Sequence, residues 1–282
     1  MTPAVSALER ALDRSYEWEE RAAIVEFDGK LPRDEAEREA GPAPAHMVEP
    51  VVSSTEAWRC YLGCADDETI ELTCFDRRGK PVVAYARTVE EHLRLMRQAD
   101  ASDCSGCYTL FNRIHPGLYA RIGAGRWVPF ASRASDNEVS TIRCAYLDFD
   151  AVRPRNISST SDEKRAALDV CLAATDFLVS ELGGDRALGF GDSGNGYAVF
   201  IRLVPVEPSK GTTAAIARLL RYCGARFDTP GVKVDASVCN PARLCPAFGT
   251  LKRKGVDCAE RPHRRTFFVC HQEPMPVPLE DL

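Results

Sequence analysis

With 282 residues the chain is long enough for one large core or two small ones. Its 45% hydrophobic and 27% charged residues are ordinary for a globular chain, and no apolar run nears the roughly 20 residues of a membrane span. The net charge of −5 argues against a uniformly basic surface, but the charge is uneven: residues 1–50 carry six Lys/Arg against twelve Asp/Glu, which leaves the rest about neutral. Glu9, Asp13, Glu17 and Glu19 stand where a secretory leader would be apolar, so a cytoplasmic chain with twelve reduced cysteines is expected.

In chain order, Leu8, Leu12, Tyr16, Ala23 and Phe27 recur at helical spacing until Gly29 and Pro32 interrupt, and Arg33–Ala40 resumes the pattern. Gly41-Pro42-Ala43-Pro44 reads as a semi-rigid linker, so residues 1–50 are taken as an acidic helical appendage and 51–282 as the main domain. Thr69–Phe75 and Val82–Tyr85 flank a turn and predict a hairpin; Thr88-Val89-Glu90-Glu91 is a capping box that opens a helix to about Gln98. Cys107–Phe111 and Cys144–Asp150 read as strands. A long helix follows, capped by Ser161 and closed by Gly183-Gly184. Ala187–Phe190 and Tyr197–Val204 flank Asp192-Ser193-Gly194-Asn195-Gly196, then come a helix over Ser209–Phe227 and a short strand over Val232–Asp235. The order is mixed α/β, its strands joined both by hairpins and by helices.

Cys60/Cys64 and Cys104/Cys107 admit two readings: a four-thiolate zinc site, or small buried apolar side chains. The second is favoured, because zinc ligands are usually more tightly spaced.

Chemistry concentrates in three stretches. In Ala145-Tyr146-Leu147-Asp148-Phe149-Asp150 strand alternation places Asp148 and Asp150 on one face, an arrangement that suits a hard divalent cation. Chance and solvated strand ends also produce this pattern. Ser193-Gly194-Asn195-Gly196 has the glycines of a turn whose backbone N–H groups could converge on an anion, or of a plain hairpin. Val232-Lys233-Val234-Asp235 ends an apolar strand in a third acid. Arg243, Lys252, Arg253, Lys254, Arg264 and Arg265 come after it, all of them able to meet phosphate.

Asp148-Phe149-Asp150, Ser193-Gly194-Asn195-Gly196-Tyr197, Asp235 through Asn240-Pro241-Ala242-Arg243, Gly249-Thr250 and Arg261-Pro262-His263-Arg264 occur in one order. Over about Cys107–Arg265 the chain resembles the archaeo-eukaryotic primase superfamily, in its branch of phage- and plasmid-type primase–polymerases. The resemblance implies an RRM-like catalytic unit and an α/β unit flanking a cleft. It implies two Mg²⁺ or Mn²⁺ ions on Asp148, Asp150 and Asp235, a single-stranded DNA template and NTP or dNTP substrates. In the family a histidine that contacts the nucleotide phosphates follows the tyrosine of Gly-Asn-Gly-Tyr; here that residue is Ala198. Either the site is a variant with weakened activity, or another cation such as Arg202 on the same strand face takes the role, and Ala198→His is expected to raise nucleotide affinity.

The nucleotide is thus expected at Ser193, Gly194, Asn195, Gly196, Ala198, Arg202, Arg243 and Lys254, and a basic track from Lys252 and Arg253 to Arg264 and Arg265 along the template. With no phosphate-loop sequence present, a replicative helicase is expected as a separate chain. The alternative is a catalytically weakened member acting as a nucleic-acid-binding replication initiator. A nuclease or glycosyltransferase using Asp-x-Asp would leave the cations after Asp235 unexplained.

Overall fold

The computed structural model describes residues 17–18, 21–22, 24–41, 50–76, 78–123 and 125–282. Leu8, Leu12, Tyr16, Ala23 and the linker residues Pro42, Ala43 and Pro44 lie outside these. Among the described residues, no helix is long and apolar enough to cross a membrane.

The first helices are α1 (Arg33–Glu39) and α2 (Pro50–Leu62). Helix α2 was not read from the sequence, and it begins at the expected domain boundary. Its Trp58 ring meets Phe200, Phe248 and Phe268 edge-on, with centroids 4.9, 5.3 and 4.9 Å away. Trp18 is buried in the same cluster, which ties the acidic N-terminal segment to the body, and its indole donates within that segment to Gly41 O at 3.0 Å.

The expected hairpin is β1 (Ile70–Phe75) with β2 (Pro81–Ala86), followed by α3 (Val89–Asp100), whose Thr88–Glu91 capping box is formed. Strands β3 (Cys107–Leu110), β4 (Arg113–Ile114) and β5 (Val128–Pro129) follow, then the long β6 (Val139–Ala151). Helix α4 (Ser161–Glu181) is capped one residue earlier than expected. The Thr160 hydroxyl accepts from Glu163 N, and the Glu163 carboxylate accepts from Thr160 N. Then come β7 (Leu188–Asp192), β8 (Gly196–Val206), α5 (Lys210–Phe227) and β9 (Val232–Val234). The last strands are β10 (Leu244–Pro246), β11 (Leu251–Lys252), β12 (Arg264–Arg265) and β13 (Phe267–Cys270).

From β6 to β9 the chain runs β-α-β-β-α-β, and the strands order as β9-β6-β8-β7 with every pair antiparallel. This is the RRM-like arrangement, widened by β13 beside β7 and by β4 beside the start of β6. The second sheet, β10-β3-β1-β2-β5, is also antiparallel. After β9 the chain joins the second sheet through β10, forms the β11–β12 ribbon and returns to the first through β13. The protein is mixed α/β, with a cleft between the two sheets lined from both.

Strand β6 sits in the middle of the RRM-like sheet because its two faces have different neighbours. Leu147 and Phe149 are fully buried on the helix side, clustered with Ala167, Leu168 and Cys171 of α4. The opposite face looks into the cleft. On β7 that face is glycine: a Cβ at Gly189 would lie 2.5 Å from the Phe268 ring, and one at Gly191 2.5 Å from the Phe248 ring. Aromatic rings therefore lie directly on the strand.

Ala198 belongs to this row. It pairs with Gly191 on one side and Asp148 on the other, and it is fully buried. Ala198 does not line the carboxylate pocket: it is buried in the row between Asp148 and Gly191, where a Cβ on Gly191 would meet the Phe248 ring. Arg202 is corrected too. It shares the face, but it runs to the far end of the strand, where its guanidinium donates to Cys60 O at 3.4 Å and lies against Gly63. Ala198→His is therefore expected to overpack the layer and lower unfolding free energy by about 1–3 kcal/mol, with no gain in nucleotide affinity. Denaturant titration checks it; an undiminished midpoint would contradict the packing argument.

Candidate active site

Asp148 and Asp150 both face a small cleft pocket of about 100 Å³. Tyr146, two residues before Asp148, shares its strand face and lines the same pocket. Tyr108, Leu244 and Pro246 wall the pocket from the second sheet, and Ser193 and Asn195 close it from the β7–β8 turn. Its cations are Arg153, Lys252 and Lys254.

These groups are electrostatically coupled. Removal from water and the neighbouring carboxylates of Asp150 and Asp235 push the Asp148 carboxyl up, from 3.8 to about 7. Burial pulls Lys252 down to about 8, against the opposing pull of Asp150 and Asp148. Burial and the charge of Lys252 also lower Lys254. The Lys252 ammonium lies 3.6 Å from the Tyr108 ring centroid and hydrogen-bonds the Tyr108 hydroxyl. Arg153 lies 3.4 Å from Asp150 Oδ1 and is anchored by Ala151 O and Ile157 O.

The glycine-rich turn is shaped by the carboxylate. Gly196 pairs with Asp150, and a Cβ there would lie 2.6 Å from Asp150 Oδ1, so only glycine lets the acid lie over the strand. Gly194 has φ of +82°. The expected anion nest does not form from the glycine N–H groups: Gly194 N donates to Asp192 Oδ1 at 2.6 Å and Gly196 N to Ser193 Oγ at 3.0 Å. Both donors are used to hold the turn.

Asp235 continues the β6–β9 register opposite Asp148, its N–H donating to Asp148 O at 3.0 Å, so it lies on the cleft face. Its carboxylate accepts from Ser237 N at 2.8 Å. Among the described residues, no three His, Cys, Asp or Glu side chains gather closely enough to hold a metal ion. Cys60 and Cys64 are far from pairing with Cys104 and Cys107: Cys64 packs against the main cluster, while Cys104 and Cys107 sit in the cluster under the second sheet. All twelve cysteines are free.

The expected basic track along a template is corrected. Lys252 and Arg264 are buried. Arg264 donates to Ser159 O at 2.7 Å, Arg265 pairs with Asp100 at 2.8 Å, and Arg253 donates to Asp100 O at 2.6 Å. The cations turn inward because unpaired carbonyls and acids of the fold need them. Arg243 does not reach the carboxylate pocket either. It binds Asn240 Oδ1 and Ser237 O and lines an adjoining open cavity of about 440 Å³ with Arg133, Phe75 and Tyr108.

Sequence reasoning missed Tyr146, Arg153 and Tyr108 as site residues. Strand alternation alone would have given Tyr146, two positions before Asp148; Arg153, past the strand end, gave no periodic signal.

No family model matches the chain, and no curated protein does. Among solved structures it is similar to the AEP domain of the cyanophage S-2L primase–polymerase (PrimPol), with a TM-score of 0.47 and 12% identity, over 81% of this chain and 94% of that one. It is also similar to the polymerase domain of Mycobacterium tuberculosis ligase D in complex with DNA, with a TM-score of 0.39 and 15% identity, over 77% and 83%.

A carboxyl whose folded value is raised favours the protonated folded state, so its contribution to stability falls as pH rises from about 4 to about 7. In chelator, the protein should therefore lose thermal stability across that window, and Asp148→Asn should lose less. Parallel melting profiles for the two proteins would contradict the assignment.

Proposed function

We propose that this chain is a divalent-metal-dependent nucleotidyltransferase of primase–polymerase type, joining NTPs or dNTPs on a single-stranded DNA template. The observation that carries the reading is the pocket itself: two carboxylates on the middle strand of an RRM-like sheet, faced by Arg153, Lys252 and Lys254. Paired acids beside clustered cations suit a ligand that is both metal-bound and polyanionic, and a nucleoside triphosphate is such a ligand.

The residues fit a hard cation. The donors are carboxylate oxygens, and burial, with Asp150 and Asp235 nearby, raises the Asp148 carboxyl, so a bound cation would favour its charged form. Mg²⁺ or Mn²⁺ would be held by Asp148 and Asp150, with Asp235 one strand over as the third ligand. When bound, the ions would supply activation of a 3′-hydroxyl and neutralisation of pyrophosphate.

The chain's own groups do the positioning. Lys252, Lys254 and Arg153 draw phosphate oxygens into the pocket, and the Tyr108 ring holds the Lys252 ammonium over it. Arg243 and Arg133 act in the adjoining cavity rather than at the reacting phosphate. The order of sequence motifs supports a role in replicating a phage or mobile element.

A second reading is a weakened enzyme serving as a nucleic-acid-binding replication initiator. The observation that favours it is Asp235, whose carboxylate is engaged by Ser237 rather than gathered with Asp148 and Asp150.

Primer synthesis and extension on single-stranded DNA, with labelled NTPs or dNTPs and either Mg²⁺ or Mn²⁺, tests the proposal. Asp148→Ala and Asp150→Ala should each lower incorporation by about a thousandfold or more while the fold persists, since each removes several kcal/mol of charge stabilisation. DNA binding without incorporation by the unaltered protein would favour the initiator reading.

A further inference from the structure

We infer that the outward face of helix α5 is a second nucleic-acid contact, one that takes the phosphate backbone of single-stranded DNA where it passes the edge of the RRM-like sheet. The inference goes beyond the nucleotidyl-transfer reading, which needs only the cleft on the other side of that sheet.

Helix α5 buries Thr212, Ile216, Leu219, Leu220 and Cys223, and the last four cluster with Val232 and Val234 of β9. Its opposite face is exposed and carries Arg218, Arg221, Tyr222 and Arg226. The whole helix contains no Asp or Glu, in a chain whose net charge is −5. Arg218 and Arg221 stand one turn apart, and like charges at that spacing work against a helix. An acid four residues from either would relieve the repulsion, yet those positions are Ala214, Ala217, Tyr222 and Ala225. Among the described residues, no acid pairs with Arg218, Arg221 or Arg226, and no side-chain hydrogen bond engages them. A row of cations that the fold leaves unanswered fits an anionic partner from outside.

The aromatic residues on this face narrow the choice. The Arg226 guanidinium lies over the Phe177 ring of α4, 4.7 Å from its centroid, and Phe177 packs against Tyr222 at 5.7 Å. Stacking uses the flat face of a guanidinium and leaves its in-plane N–H groups for phosphate oxygens. Tyr222 is half-exposed, so its ring is open to a base. A helix that lies on a membrane shows Leu, Phe or Trp to the acyl chains, whereas the residues between these arginines are alanines and one tyrosine.

Placement ties the face to the cleft. Strand β9 is the edge beside β6, and in register Lys233 stands opposite Asp150 on the cleft face. Lys233 also pairs at 3.2 Å with Asp228, the residue that follows α5. A strand leaving the cleft across β9 therefore meets the end of α5 first. Arg226, Arg221 and Arg218 then follow along about 12 Å of helix.

The double substitution Arg218→Gln and Arg221→Gln removes two charges that hold nothing in the fold. Fluorescence anisotropy with oligodeoxythymidylate of about 20 and about 6 nucleotides, over a series of salt concentrations, reads the result. The longer strand should bind the double variant about tenfold more weakly, with a log–log salt slope shallower by about 1.4, for two phosphate contacts at about 0.7 each. The short strand and dATP should bind as before. Unchanged affinity and slope for the longer strand would overturn this inference and leave the nucleotidyltransferase reading standing. So would lost binding to phosphatidylglycerol vesicles with DNA binding intact. An unaltered protein that incorporates no nucleotide, yet loses DNA affinity on these substitutions, would overturn the enzymatic reading and leave this one.

Discussion

Two like charges on alternate residues of one strand repel each other, and the cleft pocket of this molecule is built around two such acids, Asp148 and Asp150, with Asp148 also drawn out of water. Strand β6 sets both on one face of the sheet, and Asp235 brings a third acid across from Asp148. A fold that holds such acids partly away from water must neutralise them or leave them seeking a cation. Here the answer is partial. Lys252 and Lys254 approach from one segment and Arg153 from another, yet burial, with Asp150 and Asp235 nearby, still lifts the Asp148 carboxyl to about 7.

The basic stretch near the C-terminus turns inward as well, mostly toward other partners. A row of arginines and lysines reads in sequence as a surface for a polyanion. In the folded chain each is spent on a particular acceptor: Lys252 on Tyr108 and the pocket, Arg264 on Ser159, Arg265 on Asp100, Arg261 on Glu163. Burying these cations links the β11–β12 ribbon to the RRM-like sheet and makes the pocket a product of long-range packing. The glycines of β7 work to the same end, since Gly189 and Gly191 let the aromatic layer lie flat beside the acids.

The shared face of Asp148 and Asp150 was legible because a period of two is a local property of the chain, whereas the order of strands in the sheet is set by non-local pairing. The hairpins and the long helices were legible from caps and turns, with an error of one residue at Thr160. The reach of each side chain was not legible. Whether Arg202 turns toward the acids or toward Cys60 of α2, and whether Ala198 is open or buried, depends on parts of the chain distant in sequence. The glycine-rich turn shows the same divide. Its tight backbone was readable from Gly194 and Gly196, but its N–H groups are consumed by Asp192 and Ser193.

If the paired carboxylates exist to hold a divalent cation, the unaltered protein must bind one. Titration with Mn²⁺, followed by electron paramagnetic resonance of the free ion, measures this directly. The account predicts saturable binding that is tighter at about pH 8 than at about pH 6, where a proton competes at Asp148, and tighter again with dATP present. A folded protein with no saturable Mn²⁺ binding at either pH, with or without dATP, would contradict it.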